Sequence, residues 1–356
     1  LHRRGRGRTL RAAMRLELQG DPLHTRSLSV TLLEGEPDRV VARASLLDLR
    51  KRGFVPVGGD LQPAGIVHDM RLEAEVARST ERVLRLEAAQ PVVAFEPSAL
   101  TRGESCRDIA GGMTALAGAC LDTSWSRRVS EASGGPRGCS HLVTLAQLLG
   151  PTIHWALGRE RDLVDTPAQR RRGEWLFRRA IVVDGALGAR GESVGLAVQL
   201  TDLHSRPAAP GAPSMERFAE ALEVRALAEI ALGSQRLLEL RIAERRRTRT
   251  RLDTAWSPRE ALGADLRGLS FGRGVSAVLV ERLGEHPGDR PLLDALLALA
   301  PTLIQVYAAL SERWPEMAAQ DGWVVGLGSR PDACWMWRGG GALDRARAPG
   351  DPRLFS

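Results

Sequence analysis

The chain reads as an α+β protein, a tandem pseudo-repeat in which each copy is an antiparallel sheet of about four strands followed by three helices packed on one face. Three observations predict this class. Segments of two-residue alternation come before segments of helical spacing, and that order occurs twice. His68 to Val76 aligns without a gap on Leu222 to Ile230, an offset of 154. Leu116, Gly118, Glu131, Gly134, Gly138, Leu142, Pro151 and Thr152 align on Leu266, Gly268, Glu281, Gly284, Gly288, Leu292, Pro301 and Thr302, an offset of 150. A single four-residue deletion reconciles the two offsets, and Gly, Pro and apolar positions survive it, as a shared fold requires.

Residues 1–20 are Arg-rich, lack a periodic apolar pattern and read as a flexible basic tail. Copy 1 is expected over 21–160. Ser27 to Leu33 and Val40 to Leu49 alternate as strands, with a turn at Gly35-Glu36-Pro37-Asp38 between them. Pro56 to Gly65 is a Gly/Pro-rich loop, Val67 to Val76 a third strand and Val83 to Ala89 a fourth. Helical spacing then covers Asp108 to Ala119, Ser124 to Ala132 and Ser140 to Leu157, the last bent by Pro151. A linker follows at 161–173. Copy 2, expected over 174–315, repeats the order: strands at Arg179 to Val183 and Val194 to Leu203, a Pro-rich loop at Pro207 to Pro213, and strands near Leu222 and Leu237. Its helices are Pro258 to Leu269, Val275 to Leu283 and Leu292 to Arg313, and 316–356 is an irregular Gly/Trp-containing segment. The two copies are expected to pack as an internal pseudo-dimer in a monomeric chain.

The 356 residues are ample for substantial cores. A net charge of +7 invites a nucleic-acid reading, but Lys51 is the only lysine, Tyr307 the only tyrosine, and asparagine is absent. Such usage is what a GC-rich genome imposes, so the arginines read as solvated faces and no specific nucleic-acid partner is expected. Four cysteines, Cys106, Cys120, Cys139 and Cys334, form no CxxC pair and are too few for a disulfide framework. No secretory h-region follows the basic N-terminus, and no run of eighteen apolar residues occurs, so a bacterial cytoplasm and no membrane are expected. GxSxG, Walker A and HExxH motifs are absent. Gly326-Leu327-Gly328 and Gly339-Gly340-Gly341 lack the strand–loop–helix context of a phosphate cradle.

Copy 1 alone keeps chemistry-bearing residues. His68 is replaced by Leu222 in copy 2, Cys139 by Asp289 and His141 by Pro291. The candidate metal ligands are His68, Asp69, Cys106, Cys139 and His141, a set suited to zinc or iron. Adjacent strand residues face opposite ways, so Asp69 is the one expected to orient His68 or pair an arginine unless the strand bulges. Cys139 and His141 open the long helix, where the backbone dipole favours a thiolate. A rival reading makes Cys139 a nucleophile with His141 as its base. Another makes the chain a non-catalytic scaffold that binds an unidentified protein or small molecule. His24-Thr25-Arg26 reads as a strand entry, while Cys120 and Met113 read as core.

His24-Thr25-Arg26, His68-Asp69-Met70, Cys106 and Gly138-Cys139-Ser140-His141-Leu142 together resemble a bacterial family named only as domain of unknown function 2889. The resemblance covers about residues 22–158, and 175–340 resembles it only as a degenerate second copy. A closing Cys-His-Ala motif of the family corresponds to Cys334 followed by Trp335, where histidine is lost. The resemblance implies no activity. The order of ligand types is also similar to that of the iron–sulfur scaffold fold, an analogy of arrangement alone.

Overall fold

Alternation in strand β1 (Asp21–Glu34) sends His24, Arg26, Leu28, Val30 and Leu32 to one face and Thr25, Ser27, Ser29 and Thr31 to the other. The same period runs through β2 (Arg39–Arg50) and β5 (Gly65–Ala77), giving a sheet with one buried apolar face and one polar face. The polar face is laced by cross-strand pairs such as Ser29–Ser45 at 2.8 Å and Arg43–Glu73 at 2.8 Å. The computed structural model describes residues 17–52, 55–57, 60–164, 170–272, 274–284, 286–310 and 331–346. Residues 1–16 of the expected tail, 165–169 of the expected linker, and 311–330 and 347–356 of the C-terminal region, with Gly326-Leu327-Gly328, lie outside them.

The remaining strands of the main sheet are β6 (Arg82–Val92), β7 (Trp175–Leu187), β8 (Ser193–Ser205), β9 (Phe218–Ala231), β10 (Leu237–Thr248) and the short β11 (Ser257–Pro258). Nine strands join in the order β11-β10-β9-β8-β7-β1-β2-β5-β6, each neighbouring pair antiparallel. Outward from the β1/β7 seam, one side runs through β1, β2, β5 and β6 and the other through β7, β8, β9 and β10 in chain order, with the short β11 added at the second edge. The seam pairs Arg26 with Val183, Leu28 with Ile181 and Val30 with Arg179, so the two arginines flank a central apolar pair.

Helices α1 (Trp125–Ser133) and α2 (Ser140–Leu163) follow β6, and the one-turn α3 (Ser214–Arg217) leads into β9; the short α4 (Glu260–Asp265), then α5 (Val275–Leu283), α6 (Arg290–Leu297) and α7 (Leu299–Ala308) follow β10. Helix α2 packs on β1, β2 and β5, α6 on β8 and β9, and α7 on β1, β7 and β8. A single apolar cluster therefore includes Leu28, Leu46, Met70, Leu145 and Trp125 together with Ile181, Leu196, Leu279 and Leu296. The run Arg290–Ala308 is long and apolar enough to cross a bilayer, yet 72% of its apolar window is buried in this core.

Details also match at the sequence offsets. Gly118 N donates to Val83 O at 2.7 Å and Gly268 N to Leu237 O at 2.8 Å. Leu121 N donates to Glu81 O and Phe271 N to Gln235 O, with Glu81 and Gln235 both left-handed at φ 50 and 54. Gly118 and Gly268 are left-handed too, at φ 85 and 81, where a Cβ would be strained.

Four local expectations are corrected. The segment expected as a helix from Asp108 is a 3₁₀ helix, Cys106–Leu116, whose Gly111-Gly112 pair disfavours α-helix. The Gly/Pro-rich loop contains a small hairpin, β3 (Val55–Val57) with β4 (Asp60–Gln62). The helix expected from Pro258 shortens to α4. The helix expected from Leu292 to Arg313 divides at Ala298, where Pro301 cannot donate to the Leu297 carbonyl; its last residues, 311–313, lie outside the described chain.

Candidate metal centre

Inward alternation in β2 carries Val40, Ala42, Ala44 and Leu46, and the next two places in that file are Asp48 and Arg50. Strand register sets Arg26 beside Asp48 on one side and His68 on the other. The β2–β5 register slips next to this pair, and Val67 and His68 are both buried there. This bulge lets β5 aim His68 inward while its neighbour Asp69 turns to the open face.

Asp48 is completely buried and accepts from Arg26 Nε and Nη2 at 2.8 Å each, His24 Nε2 at 2.9 Å and His68 Nδ1 at 3.0 Å. Burial opposes its charge, but the Arg26 guanidinium and these hydrogen bonds outweigh that and hold its carboxyl well below the ordinary range.

Helix α2 begins at Ser140, so its first turn places His141 over His68, with ring centroids 3.8 Å apart and planes tilted by 32°. His141 Nε2 lies 3.6 Å from Asp48 Oδ2 and accepts from Gln305 Nε2 at 3.3 Å. An amide nitrogen can only donate, so this imidazole keeps a bare Nε2. Desolvation first, and the neighbouring His68 next, push its pKa well below the ordinary value, which keeps it neutral. Among the described residues, Asp48, His68 and His141 are the group of three whose ligand atoms lie within 4.8 Å of one another.

The other sequence candidates are placed differently. Asp69 pairs with Arg71 on the open face at 2.8 Å and is not brought to His68's ligand atoms. Cys139 is the N-cap residue of α2, buried, with Sγ 3.9 Å from His141 Nδ1. Burial pushes its thiol up to about 11, so the helix start does not yield a thiolate there. Cys106 is raised by burial and by the neighbouring sulfurs of Cys139 and Cys334. The C-terminal segment docks at this point: Trp335 N donates to Gly138 O at 2.8 Å.

Sequence reasoning missed Asp48, Gln305 and the inward role of His24 and Arg26. Asp48 carried a usable signal, since it continues the apolar phase of β2. Gln305 carried none, because it arrives on α7 from the far half of the chain.

The equivalent row across β7, β8 and β9 is Arg179, Asp202 and Leu222. Asp202 accepts from Arg179 at 2.7 and 2.6 Å and from Trp155 Nε1 at 3.0 Å. Arg179 also donates to Thr152 Oγ1 at 3.0 Å and to Asp294. Here the buried charges close on one another, and among the described residues no imidazole pair faces them.

Residues 24–154 match the family described as "Protein of unknown function (DUF2889)". No curated protein and no solved structure matches the chain.

Proposed function

We propose that the half of this chain carrying the family match binds a transition metal, zinc or ferrous iron, through Asp48, His68 and His141. One observation carries the reading: Asp48 Oδ2 lies 3.0 Å from His68 Nδ1 and 3.6 Å from His141 Nε2. Ligand atoms about 2.0–2.1 Å from a tetrahedral ion stand roughly 3.3 Å apart, and the observed edges bracket that length. The donor states also suit a cation. Asp48 is ionised and His141 neutral; the ion would take the His141 Nε2 lone pair in place of Gln305, and His68 would carry its proton on Nε2. Two imidazoles and a carboxylate suit zinc and iron.

The second half is proposed to be a degenerate duplicate that joins the first as an internal pseudo-dimer. The repeated strand order, the matched turns and the Arg26–Asp48 and Arg179–Asp202 pairs support this. It also lends Gln305 to the first half's site, so it is more than a passive partner. A monomer in a reducing cytoplasm fits the four free cysteines. The thiol-enzyme reading loses support from the raised Cys139 thiol.

Zinc added to chelator-treated protein should raise the urea midpoint, because an ion that binds only the folded state stabilises it by mass action. His141→Ala should lose that response, and Asp69→Asn should keep it. A zinc response unchanged in His141→Ala would overturn the assignment.

A further inference from the structure

Arg50 lies two residues beyond Asp48 on β2 and points into the same interior, 3% exposed. No carboxylate pairs with it among the described residues. Its Nη1 makes only long contacts with the Gln62 carbonyl oxygen at 3.4 Å and Gln62 Oε1 at 3.3 Å, and its Nε is buried with no partner. A buried guanidinium without a counter-ion is strongly unfavourable, because desolvation is not repaid by a paired charge. Every other buried arginine of the sheet avoids that cost: Arg26 faces Asp48, and Arg179 faces Asp202 and Asp294.

Arg50 also forms part of the wall of a cleft of about 1390 Å³ between the helical layers of the two halves. His68, His141 and Gln305 share that wall. Most of the rest is apolar, from Leu148 on α2 to Phe271, Val275 and Leu297 beyond the seam. Val280 and Ile304, 49% and 59% exposed, line it as well, so large apolar side chains stand open to whatever enters. A volume of this size exceeds that of an ordinary small-molecule pocket of about 300–1,000 Å³ and suits an extended body.

We propose that this cleft binds a long-chain carboxylate, with its head on Arg50 and its apolar body along the walls shared by the two halves. The carboxylate supplies the missing counter-ion, and a guanidinium is the side chain best shaped to receive it. The apolar body covers the surface that Val280 and Ile304 expose. The inference goes beyond the metal reading and stands without it, because neither Arg50 nor the apolar walls need an ion at Asp48.

The test uses the full chain, stripped of metal with a chelator and titrated calorimetrically with dodecanoate below its micelle concentration, in parallel with dodecanol and acetate. Dodecanoate is expected to bind at one site, at least about tenfold more tightly than dodecanol, with acetate weaker still. Arg50→Met should abolish the preference for dodecanoate over dodecanol. It should unfold at no lower urea concentration than wild type, since it removes a buried unpaired charge, so lost binding cannot be attributed to a lost fold. Ile304→Asp should weaken both chain ligands. The titration is run on chelator-treated protein, so dodecanoate binding is expected there whether or not the same protein takes up zinc, which separates this inference from the metal reading. Equal affinity for dodecanoate and dodecanol, an unaltered preference in Arg50→Met, or no dodecanoate binding would overturn it.

Discussion

Replacing Asp48 by Asn keeps the shape of the side chain and removes only its charge. The carboxylate is fully buried and receives four hydrogen bonds, two from Arg26 and one each from His24 and His68. In the variant, Arg26, itself 1% exposed, becomes a buried cation without a counter-charge. The amide NH₂ also meets donors where an acceptor stood. Breaking a buried pair from one side costs about 3–5 kcal/mol. Set against a total stability of about 5–15 kcal/mol, that is a large fraction. The control is Asp69→Asn. Its Arg71 partner is 61% exposed on the open face, so solvent screens the pair and its loss should cost far less than breaking the buried one. Urea denaturation of both metal-free variants, followed by circular dichroism at pH 7, measures the difference. The pH sign is fixed as well. The folded pKa of Asp48 is depressed, so its contribution is present above the unfolded value of 3.8 and is lost only as pH falls through the lower folded value. If Asp48→Asn lies within about 1 kcal/mol of wild type, or Asp69→Asn costs as much, the buried row is not what holds this part of the sheet.

Other outcomes follow from single features. His204 is pushed down to about 3 by burial and then by Arg159 and Arg179, so the unfolded chain takes up the proton first as pH drops below 6.5. Stability should fall by about 2 kcal/mol between pH 7 and 5 from this residue alone, and urea midpoints should show a shallower decline in His204→Leu. His24 and His141, also lowered, add in the same direction. Gly150→Ala would set a Cβ 2.3 Å from Nε1 of Trp125, an indole held by the Ala146 carbonyl at 2.9 Å, so a cost of about 1–3 kcal/mol is expected in the same assay. Cys139, buried and with its thiol up near 11, should react with iodoacetamide at pH 7.5 more slowly than a free thiol such as glutathione. Rapid alkylation would revive the nucleophile reading.

The strands were legible because a half-buried sheet writes its two faces into alternate residues, as Val40 to Leu49 illustrates. Strand length was underread where alternation passes into charged residues. Arg245 and Arg247, for instance, stay in β10 through their pairs with Glu223. Helix ends were less legible, since Pro301 breaks one helix while Pro151 lies inside another of 24 residues. The β1/β7 seam left no local signature, because strand order depends on which edges meet rather than on any one strand's pattern. At the site, His68 and His141 stood out because Leu222 and Pro291 occupy the positions aligned with them. Asp48 did not, because its counterpart Asp202 persists and so carried no contrast. The cysteines attracted attention by residue type, and only the fold reveals that burial keeps the Cys139 thiol protonated.

Metal content tests the central claim most directly. The full chain, purified without an affinity tag under anaerobic conditions and assayed by elemental mass spectrometry, should carry about one zinc or iron per molecule. The His68→Ala/His141→Ala double variant, folded by circular dichroism, should carry none. Wild type with no stoichiometric metal, or a double variant that retains it, would contradict the account.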